Sequence, residues 1–329
     1  MKMNPSELRK IVHNVLSCSF DENGSLHFHR FSQKQYETYA MESQDWTMKT
    51  LSSASVTFDF ITDSEYIALE FDLLPSSSQK CVSVDLYVDG VFYDSRYADD
   101  WSMRLAGFAL PAGEHRVTVY FPWSAQTVVR HVHLSDGASV ISVEKSCKIL
   151  CFGDSITQGY TSKFTSLSYV NQVARALNAE VVNQGIGGYY FNEATIDESI
   201  LSYKPDLITV AYGTNDYSRY ETSQEYAERA GRYIKKLAEL FPDTKIMGLL
   251  PIFRKDEDHQ VRTLYRSYSI EDARVILQEY YEACPNGYVL KETGIPHIPE
   301  AYAPDLLHPN EFGFSVMSQG IIRKIQEIL

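Results

Sequence analysis

Residues 149–159 read ILCFGDSITQG and stand where the sequence pattern of the second half of the chain begins. It begins as a short apolar run, which is typical of a buried strand. It then changes abruptly to small and polar residues, with Ser155 standing between Gly153 and Gly159. A serine in this position can be a turn residue, because Gly-Asp-Ser favours turns, or it can be a nucleophile. The rest of the sequence decides between these two interpretations.

Short apolar runs alternate with amphipathic stretches from about residue 148 onward. Four further runs follow the first one, at residues 180–183, 206–212, 245–250 and 287–290. Between them, Val170, Val173, Ala174 and Leu177 share one helical face, and residues 223–240 and 314–329 also have helical patterns. Strands that alternate with helices predict an α/β domain whose parallel sheet carries helices on both faces.

The first part of the chain, to about residue 145, has a different pattern. After a short helix expected within residues 5–16, alternating apolar residues indicate several short strands. Asp89-Gly90 stands between two such runs and predicts a hairpin. We expect an all-β, jelly-roll-like sandwich over residues 1–145 and the α/β domain over residues 146–329.

Composition restricts the classes of function. The chain has 329 residues, 44% of them hydrophobic, and a net charge of -13, which is typical of a folded protein with a sizeable core. Such an acidic chain repels phosphate backbones and anionic membrane surfaces, so neither nucleic acid nor membrane is an expected partner. No segment has the length and hydrophobicity of a membrane span.

The N-terminal residues and the cysteines indicate a cytoplasmic protein. Charges and a proline interrupt the first sixteen residues, which therefore do not resemble a signal peptide. The five cysteines are odd in number, irregularly spaced and without a CxxC pair. Disulfides and a zinc site are therefore disfavoured, and a reducing compartment is favoured.

Polar or glycine-rich clusters follow the predicted strands of the α/β part. Ser155 follows the first strand, residues 183–188 (NQGIGG) follow the second, and Asn215 follows the third. Asp305 and His308 precede the last helix. Because sites in open α/β sheets form at the carboxyl ends of the strands, we expect these clusters to share one edge.

These residue types suit acyl transfer. A serine hydroxyl needs an adjacent base, which His308 can supply, and Asp305 can accept the other ring N–H of that histidine. A tetrahedral oxyanion needs hydrogen-bond donors, and the N–H groups of Ser155 and Gly188 and the side-chain amide of Asn215 can supply three. No metal or organic cofactor is required by this chemistry.

Four motifs resemble, in the same order, the sequence blocks of the GDSL or SGNH hydrolases. They are GDSI at 153–156, NQGIGG at 183–188, GTND at 213–216 and DLLH at 305–308. The resemblance covers about half of the chain, residues 148–329. It implies a three-layer, flavodoxin-like α/β/α fold with the nucleophile Ser155, the oxyanion donors Gly188 (or its neighbour Gly187) and Asn215, and the further triad members His308 and Asp305.

The β-domain in front also resembles, more loosely, the two-domain carbohydrate esterases that deacetylate sugars. We therefore expect a serine esterase that removes short acyl groups, above all O-acetyl groups, from small sugars. One alternative is a lysophospholipase or thioesterase acting on lipid or CoA esters, with an apolar channel beside Ser155. Another is a carbohydrate-binding protein with a residual hydrolase half. The absence of GxSxG argues against the α/β-hydrolase fold.

Aromatic residues near the strand ends are candidates for stacking on a sugar, although packing roles are equally expected. They are Tyr160, Tyr189, Tyr190 and Phe253. His297 is the rival base, but no aspartate lies close before it, which favours His308.

Overall fold

The computed structural model describes residues 1–255 and 267–329. Its N-terminal part contains the helices α1 (Pro5–Ile11), α2 (Gln33–Glu42) and α3 (Gln44–Thr50). The strands of this part are β1 (Val12–His13), β2 (Ser17–Phe20), β3 (Leu26–His29), β4 (Thr57–Thr62), β5 (Tyr66–Pro75), β6 (Val82–Val88), β7 (Val91–Ala98), β8 (Leu105–Ala109), β9 (His115–Tyr120), β10 (Ala125–Leu134) and β11 (Ile141–Ser142).

These strands form two antiparallel sheets. One sheet has the order β1-β4-β9-β6-β7, with β11 also paired to β4, and the other has the order β2-β3-β10-β5-β8. Alternate side chains of both sheets, such as Phe58 and Val84 of the first and Leu69 and Val129 of the second, fill one buried core. The predicted β-sandwich is confirmed, and its jelly-roll character stays a prediction.

The predicted hairpin joins β6 to β7. Both turn residues have positive φ angles, 50° at Asp89 and 79° at Gly90. This conformation matches the twist of two antiparallel strands and explains the Asp-Gly pair.

Besides the expected short helix, two helices, α2 and α3, interrupt the part of the chain, residues 1–145, for which the sequence predicts an all-β domain. Ser32 caps α2 through the Gln35 N–H, and the Gln35 side chain bonds back to the Ser32 N–H. This capping box begins a helix. Phe31 and Tyr39 then pack into the core of the α/β part and not into the sandwich.

The C-terminal part alternates strands and helices as predicted. Its strands are β12 (Cys147–Gly153), β13 (Ala179–Gly185), β14 (Leu207–Ala211), β15 (Lys245–Leu249) and β16 (Gly287–Leu290). Its helices are α4 (Ser155–Gln158), α5 (Tyr169–Leu177), α6 (Thr214–Arg219), α7 (Ser223–Leu240), α8 (Ile270–Ala283) and α9 (Glu311–Ile328), with 3-10 turns at Thr165–Leu167, Glu193–Thr195, Glu198–Tyr203 and Pro299–Ala301.

The five strands form one parallel sheet in the order β13-β12-β14-β15-β16. Leu150 and Phe152 of β12 face a core that includes residues of α7 and α8. Their neighbours Ile149 and Cys151 face the other core, with residues of α5 and α9. The sheet is therefore the middle of three layers, and its strand order is the flavodoxin-like one.

The strand order places β12 between β13 and β14, where the direction of the connections reverses. Gly153 at the end of β12 pairs with Gly185 on one side and Ala211 on the other. The three strands thus end at one level, where ligand sites form in open α/β sheets. The predicted division at residues 145 and 146 lies between β11 and β12, and it stays a prediction.

Candidate active site

Ser155 lies where β12 ends and α4 begins. The Asp154 side chain caps α4, because its Oδ1 accepts a hydrogen bond of 2.9 Å from the Ile156 N–H. A Cβ placed on Gly153 would lie 2.0 Å from Thr157 Oγ1, so this turn requires glycine before the capping residue. The result is a rigid corner that presents the half-buried Ser155 at the edge of the sheet.

The β-sandwich covers the end of this corner. Gly159 closes α4 with a φ of 105°, and a Cβ placed on it would lie 3.3 Å from Trp123 Cγ. The Trp123 indole N–H donates to the Ser162 carbonyl at 2.7 Å. The N-terminal part of the chain therefore packs directly against the loop that follows Ser155.

Ser155, His308 and Asp305 form one chain of hydrogen bonds. Ser155 Oγ lies 2.7 Å from His308 Nε2, and His308 Nδ1 lies 2.7 Å from Asp305 Oδ2. An ionised carboxylate can only accept, so the proton of the neutral imidazole belongs on Nδ1. Nε2 is then the acceptor that faces the Ser155 hydroxyl.

The Asp305 carboxylate also organises its own turn. Its Oδ1 accepts hydrogen bonds of 3.0 Å from the Leu307 and His308 N–H groups. Burial raises the pKa of the Asp305 carboxyl, but the hydrogen bonds from His308 and Leu307 outweigh it and leave the pKa below its usual value. Asp305 is therefore an anion at neutral pH and can accept the hydrogen bond from His308 Nδ1, which orients the ring.

The glycines after β13 have different hydrogen-bonding environments. The Gly187 N–H donates to Gln158 Oε1 at 2.8 Å and is thus already paired. The Gly188 N–H has no acceptor among residues 1–255 and 267–329. Gly188 has a φ of 82°, and a Cβ placed on Gly187 would lie 3.6 Å from Ser155 Cβ. Of the two candidate donors, the geometry favours Gly188.

Asn215 lies in the first turn of α6, on the next strand end. Its Nδ2 donates to the Tyr189 carbonyl at 2.9 Å, and an amide nitrogen has a second hydrogen left to donate. The neighbouring Asp216 accepts from the Phe191 N–H at 2.9 Å and from the Gly213 N–H at 3.2 Å. Burial raises the pKa of the Asp216 carboxyl to about 7. The two side chains hold the loop after β13 against the start of α6.

Two residues of α3, which the sequence analysis did not indicate, contact the loop that follows β13. Lys49 Nζ donates to the Gly187 carbonyl at 3.0 Å, and Trp46 Nε1 would lie 3.8 Å from a Cβ placed on Gly188. Motif spacing cannot reveal such contacts, because Lys49 is 138 residues away from Gly187.

Two of the four aromatic candidates, Tyr160 and Tyr190, are half-buried. The Tyr160 ring lies over His308 with the ring centroids 4.6 Å apart, and its hydroxyl lies 3.1 Å from Ser78 Oγ of the β-sandwich. The half-buried Tyr190 ring has the guanidinium carbon of Arg219 3.9 Å from its centroid.

The other two predicted contacts are differently placed. Tyr189 is 0% exposed and packs against Tyr39 and Trp46, so of its two expected roles the structure favours packing. Phe253 stacks on the rival base His297 at 4.5 Å and lines a cavity of about 500 Å³. None of the three residues of the Ser155 hydrogen-bond chain lines that cavity.

The described ranges contain no cluster of three or more histidine, cysteine, aspartate or glutamate side chains that could hold a metal ion. Within the same ranges, no helix combines the length and the hydrophobicity that crossing a membrane requires. The cysteines in these ranges are all free thiols.

The α/β/α layers and the antiparallel β-domain before them define the class of SGNH-type hydrolases. Residues 151–315, half of the chain, match the model of the GDSL-like lipase/acylhydrolase family, and the chain belongs to this family. It is accordingly a carboxylic ester hydrolase. No curated protein matches the sequence.

Solved structures share the whole two-part architecture. The salicylyl-acyltransferase SsfX3 from a tetracycline biosynthetic pathway superposes with a TM-score of 0.83 at 18% identity, over 100% of this chain and 97% of its own. An acetyl xylan esterase from Butyrivibrio proteoclasticus superposes with a TM-score of 0.62 at 15% identity, over 99% of this chain and 98% of its own. A family two carbohydrate esterase from Clostridium thermocellum superposes with a TM-score of 0.64 at 14% identity, over 84% of this chain and 93% of its own. At such low identities, the superpositions show a common fold.

Proposed function

We propose that the protein is a serine esterase that removes short acyl groups, above all O-acetyl groups, from carbohydrate. Ser155 is the nucleophile, His308 the general base and Asp305 the residue that orients His308. The observation that carries this proposal is the unbroken chain of two 2.7 Å hydrogen bonds from Ser155 Oγ through the imidazole to the carboxylate.

The geometry supports a two-step acyl transfer. Ser155 Oγ attacks the ester carbonyl while His308 Nε2 takes the hydroxyl proton, and the imidazolium is stabilised by Asp305. The oxyanion is held by the N–H groups of Ser155 and Gly188 and by the second amide hydrogen of Asn215. His308 then protonates the leaving alcohol, and a water molecule, activated by the same imidazole, hydrolyses the acyl-enzyme.

The surroundings of Ser155 favour a short acyl group. A Cβ placed on Gly187 would lie 3.6 Å from Ser155 Cβ and 3.8 Å from Lys49 Cε, and one placed on Gly188 would lie 3.8 Å from Trp46 Nε1. A mostly apolar cavity of about 770 Å³ does exist, but it lies between α7 and α8 and is not lined by Ser155. A lysophospholipase or thioesterase would place its apolar channel at the nucleophile.

The structural neighbours and the aromatic rim support a sugar ester. The structural neighbours include a carbohydrate esterase and an acetyl xylan esterase, besides an acyltransferase. Tyr160 is half-buried beside His308 and offers an aromatic surface of the type that stacks on sugars.

Two assays test the proposal. One measures acetate release from acetylated xylo-oligosaccharides, and the other measures hydrolysis of p-nitrophenyl esters of increasing acyl chain length. We expect acetyl esters to react fastest and Ser155→Ala to abolish turnover. Preference for long-chain or CoA esters would overturn the substrate class. No ester turnover by the wild type would favour a carbohydrate-binding protein with a residual hydrolase half, and turnover that survives Ser155→Ala would overturn the role of Ser155.

A further inference from the structure

The peptide group between Gly187 and Gly188 is held by a lysine from the N-terminal part of the chain. Lys49 Nζ donates to the Gly187 carbonyl at 3.0 Å, whereas the N–H on the other side of this peptide belongs to Gly188. A peptide group is planar, with its C=O and N–H pointing in opposite directions. Fixing the Gly187 carbonyl therefore fixes the direction of the Gly188 N–H.

The lysine is itself tightly held. Its side chain is 13% exposed, and Nζ forms an ion pair of 2.5 Å with Asp45, one turn earlier on α3. The Lys49 carbonyl accepts from the buried Arg30 guanidinium at 3.0 Å. Arg30 also donates to the carbonyl of Asn183 and, at 3.5 Å, to that of Gly185 in β13. α3 and the strand that leads to Gly188 are thus fixed to each other at two points.

We propose that Lys49 is a positioning residue that orients and polarises the Gly188 N–H toward the oxyanion, an inference that rests on the proposed function. A charged donor makes a stronger hydrogen bond than a neutral one. Hydrogen bonds linked in a chain strengthen one another by about 10–30% each. An ammonium on the Gly187 carbonyl therefore makes the Gly188 N–H a better donor when negative charge develops on the substrate.

The ion pair with Asp45 distinguishes this role from direct binding of an anionic substrate. The Lys49 charge is already balanced by a carboxylate 2.5 Å away, and the other hydrogen bond of the ammonium goes to the peptide. Lys49 therefore acts through Gly188, and its effect belongs to the transition state and not to the bound ester.

Steady-state hydrolysis of p-nitrophenyl acetate by three Lys49 variants of the full chain tests the proposal. We expect kcat to fall about 10-fold or more in Lys49→Met, less than the loss of a whole oxyanion donor, with KM within about twofold of wild type. Lys49→Gln, a neutral donor, should lie between Lys49→Met and Lys49→Arg, which keeps most of kcat. Acylation and deacylation both form an oxyanion, so kcat responds whichever step limits it.

Lys235→Met is the matched control, because Lys235 is 77% exposed on α7 and pairs only loosely with Glu239, at 3.8 Å. It should retain the wild-type kcat. If Lys49→Met does not fold, the order of Lys49→Arg and Lys49→Gln decides alone. Equal kcat in these variants and the wild type, or a change confined to KM, overturns the positioning role. Activity that survives Ser155→Ala overturns the proposed function instead.

Discussion

Gly153 is the residue that allows the chain to turn directly from a core strand into the corner of Ser155. A Cβ placed on it would lie 2.0 Å from Thr157 Oγ1 and 3.2 Å from the Ala211 carbonyl, which is backbone of the neighbouring strand. Thr157 cannot turn away without cost, because its hydroxyl lies 2.9 Å from the buried Tyr169 hydroxyl. The sequence motif thus reflects packing as much as chemistry.

We therefore predict that Gly153→Ala destabilises the protein by about 1–3 kcal/mol, the usual cost of overpacking a core. It should also lower esterase activity, because Ser155 moves with the turn. Urea denaturation measures the change in the free energy of unfolding. Gly107→Ala is the control: nothing lies within 4 Å of a Cβ placed there, and it should stay within about 0.5 kcal/mol of wild type.

The substitution Asp305→Asn tests the Ser155–His308–Asp305 hydrogen-bond chain by replacing a single carboxylate oxygen with an NH₂ group. In Asp305→Asn the remaining oxygen can still accept from the Leu307 and His308 N–H groups, so the turn is kept. The new amide, however, donates to Nδ1 and favours the wrong tautomer of His308. We expect kcat for p-nitrophenyl acetate to fall by about 10³–10⁴-fold with little change in thermal stability.

Asp21→Asn is the control for this substitution, since Asp21 also accepts from two nearby backbone N–H groups but lies in the β-sandwich. It should have wild-type kcat. If Asp305→Asn stayed within tenfold of wild type, the Ser155–His308 pair alone would be sufficient for the reaction.

The positions of the candidate site residues could be predicted from the sequence alone. Ser155, Asn215 and His308 each follow a recognisable strand or precede a recognisable helix, so their common edge could be predicted. The choice between Gly187 and Gly188 could not, because it depends on which N–H the Gln158 side chain occupies.

At the scale of elements, α2 and α3 are the main departure from the sequence prediction. The fold of each half follows from its periodicity, and all five strands of the parallel sheet lie at the predicted runs. The two helices interrupt the β-region and have few apolar residues on one face, so periodicity did not indicate them. The local signals were the Ser32–Gln35 capping box of α2 and the Ser43 side chain, which caps α3 through the Asp45 N–H.

Arg30 joins these helices to the hydrolase sheet and is 1% exposed. Burial lowers the pKa of its guanidinium to about 9, so it remains a cation at neutral pH. Its partners are oxygens without formal charge: the Ser52 carbonyl and hydroxyl at 2.6 Å, and the carbonyls of Lys49 and β13. Sequence alone would place Arg30 on the surface, because arginine is rarely buried.

We predict that Arg30→Met destabilises the protein by about 3–5 kcal/mol, since several buried carbonyls lose their donor. Activity should fall as well, because α3 places Lys49 and Trp46 against Gly187 and Gly188. Thermal unfolding followed by circular dichroism measures the loss of stability as a lower Tm. Arg323→Met, an exposed position of α9, should remain close to wild type, and an equally small effect of Arg30→Met would contradict the anchoring role.

At the scale of the whole molecule, polar contacts connect the sandwich to the hydrolase part. The Ser166 N–H donates to the buried Asp85 carboxylate of β6 at 2.8 Å, and the Val181 N–H donates to the buried Asn14 side chain at 2.8 Å. With Trp123 and Arg30, these bonds satisfy backbone groups next to the strands and loops of the active site. Without the sandwich, those groups would lose their partners.

This dependence predicts that the two parts of the chain unfold together. Loss of near-ultraviolet circular dichroism, loss of tryptophan emission and loss of esterase activity should coincide in one urea transition. A fragment of residues 146–329 lacks Arg30 and Lys49 and also exposes the loop that Trp123 covers, so we expect it to be inactive and to unfold without cooperativity. Two resolved transitions would show that the two parts of the chain fold independently. A fragment as active as the full chain would show that the loop containing Gly187 and Gly188 keeps its shape without α3.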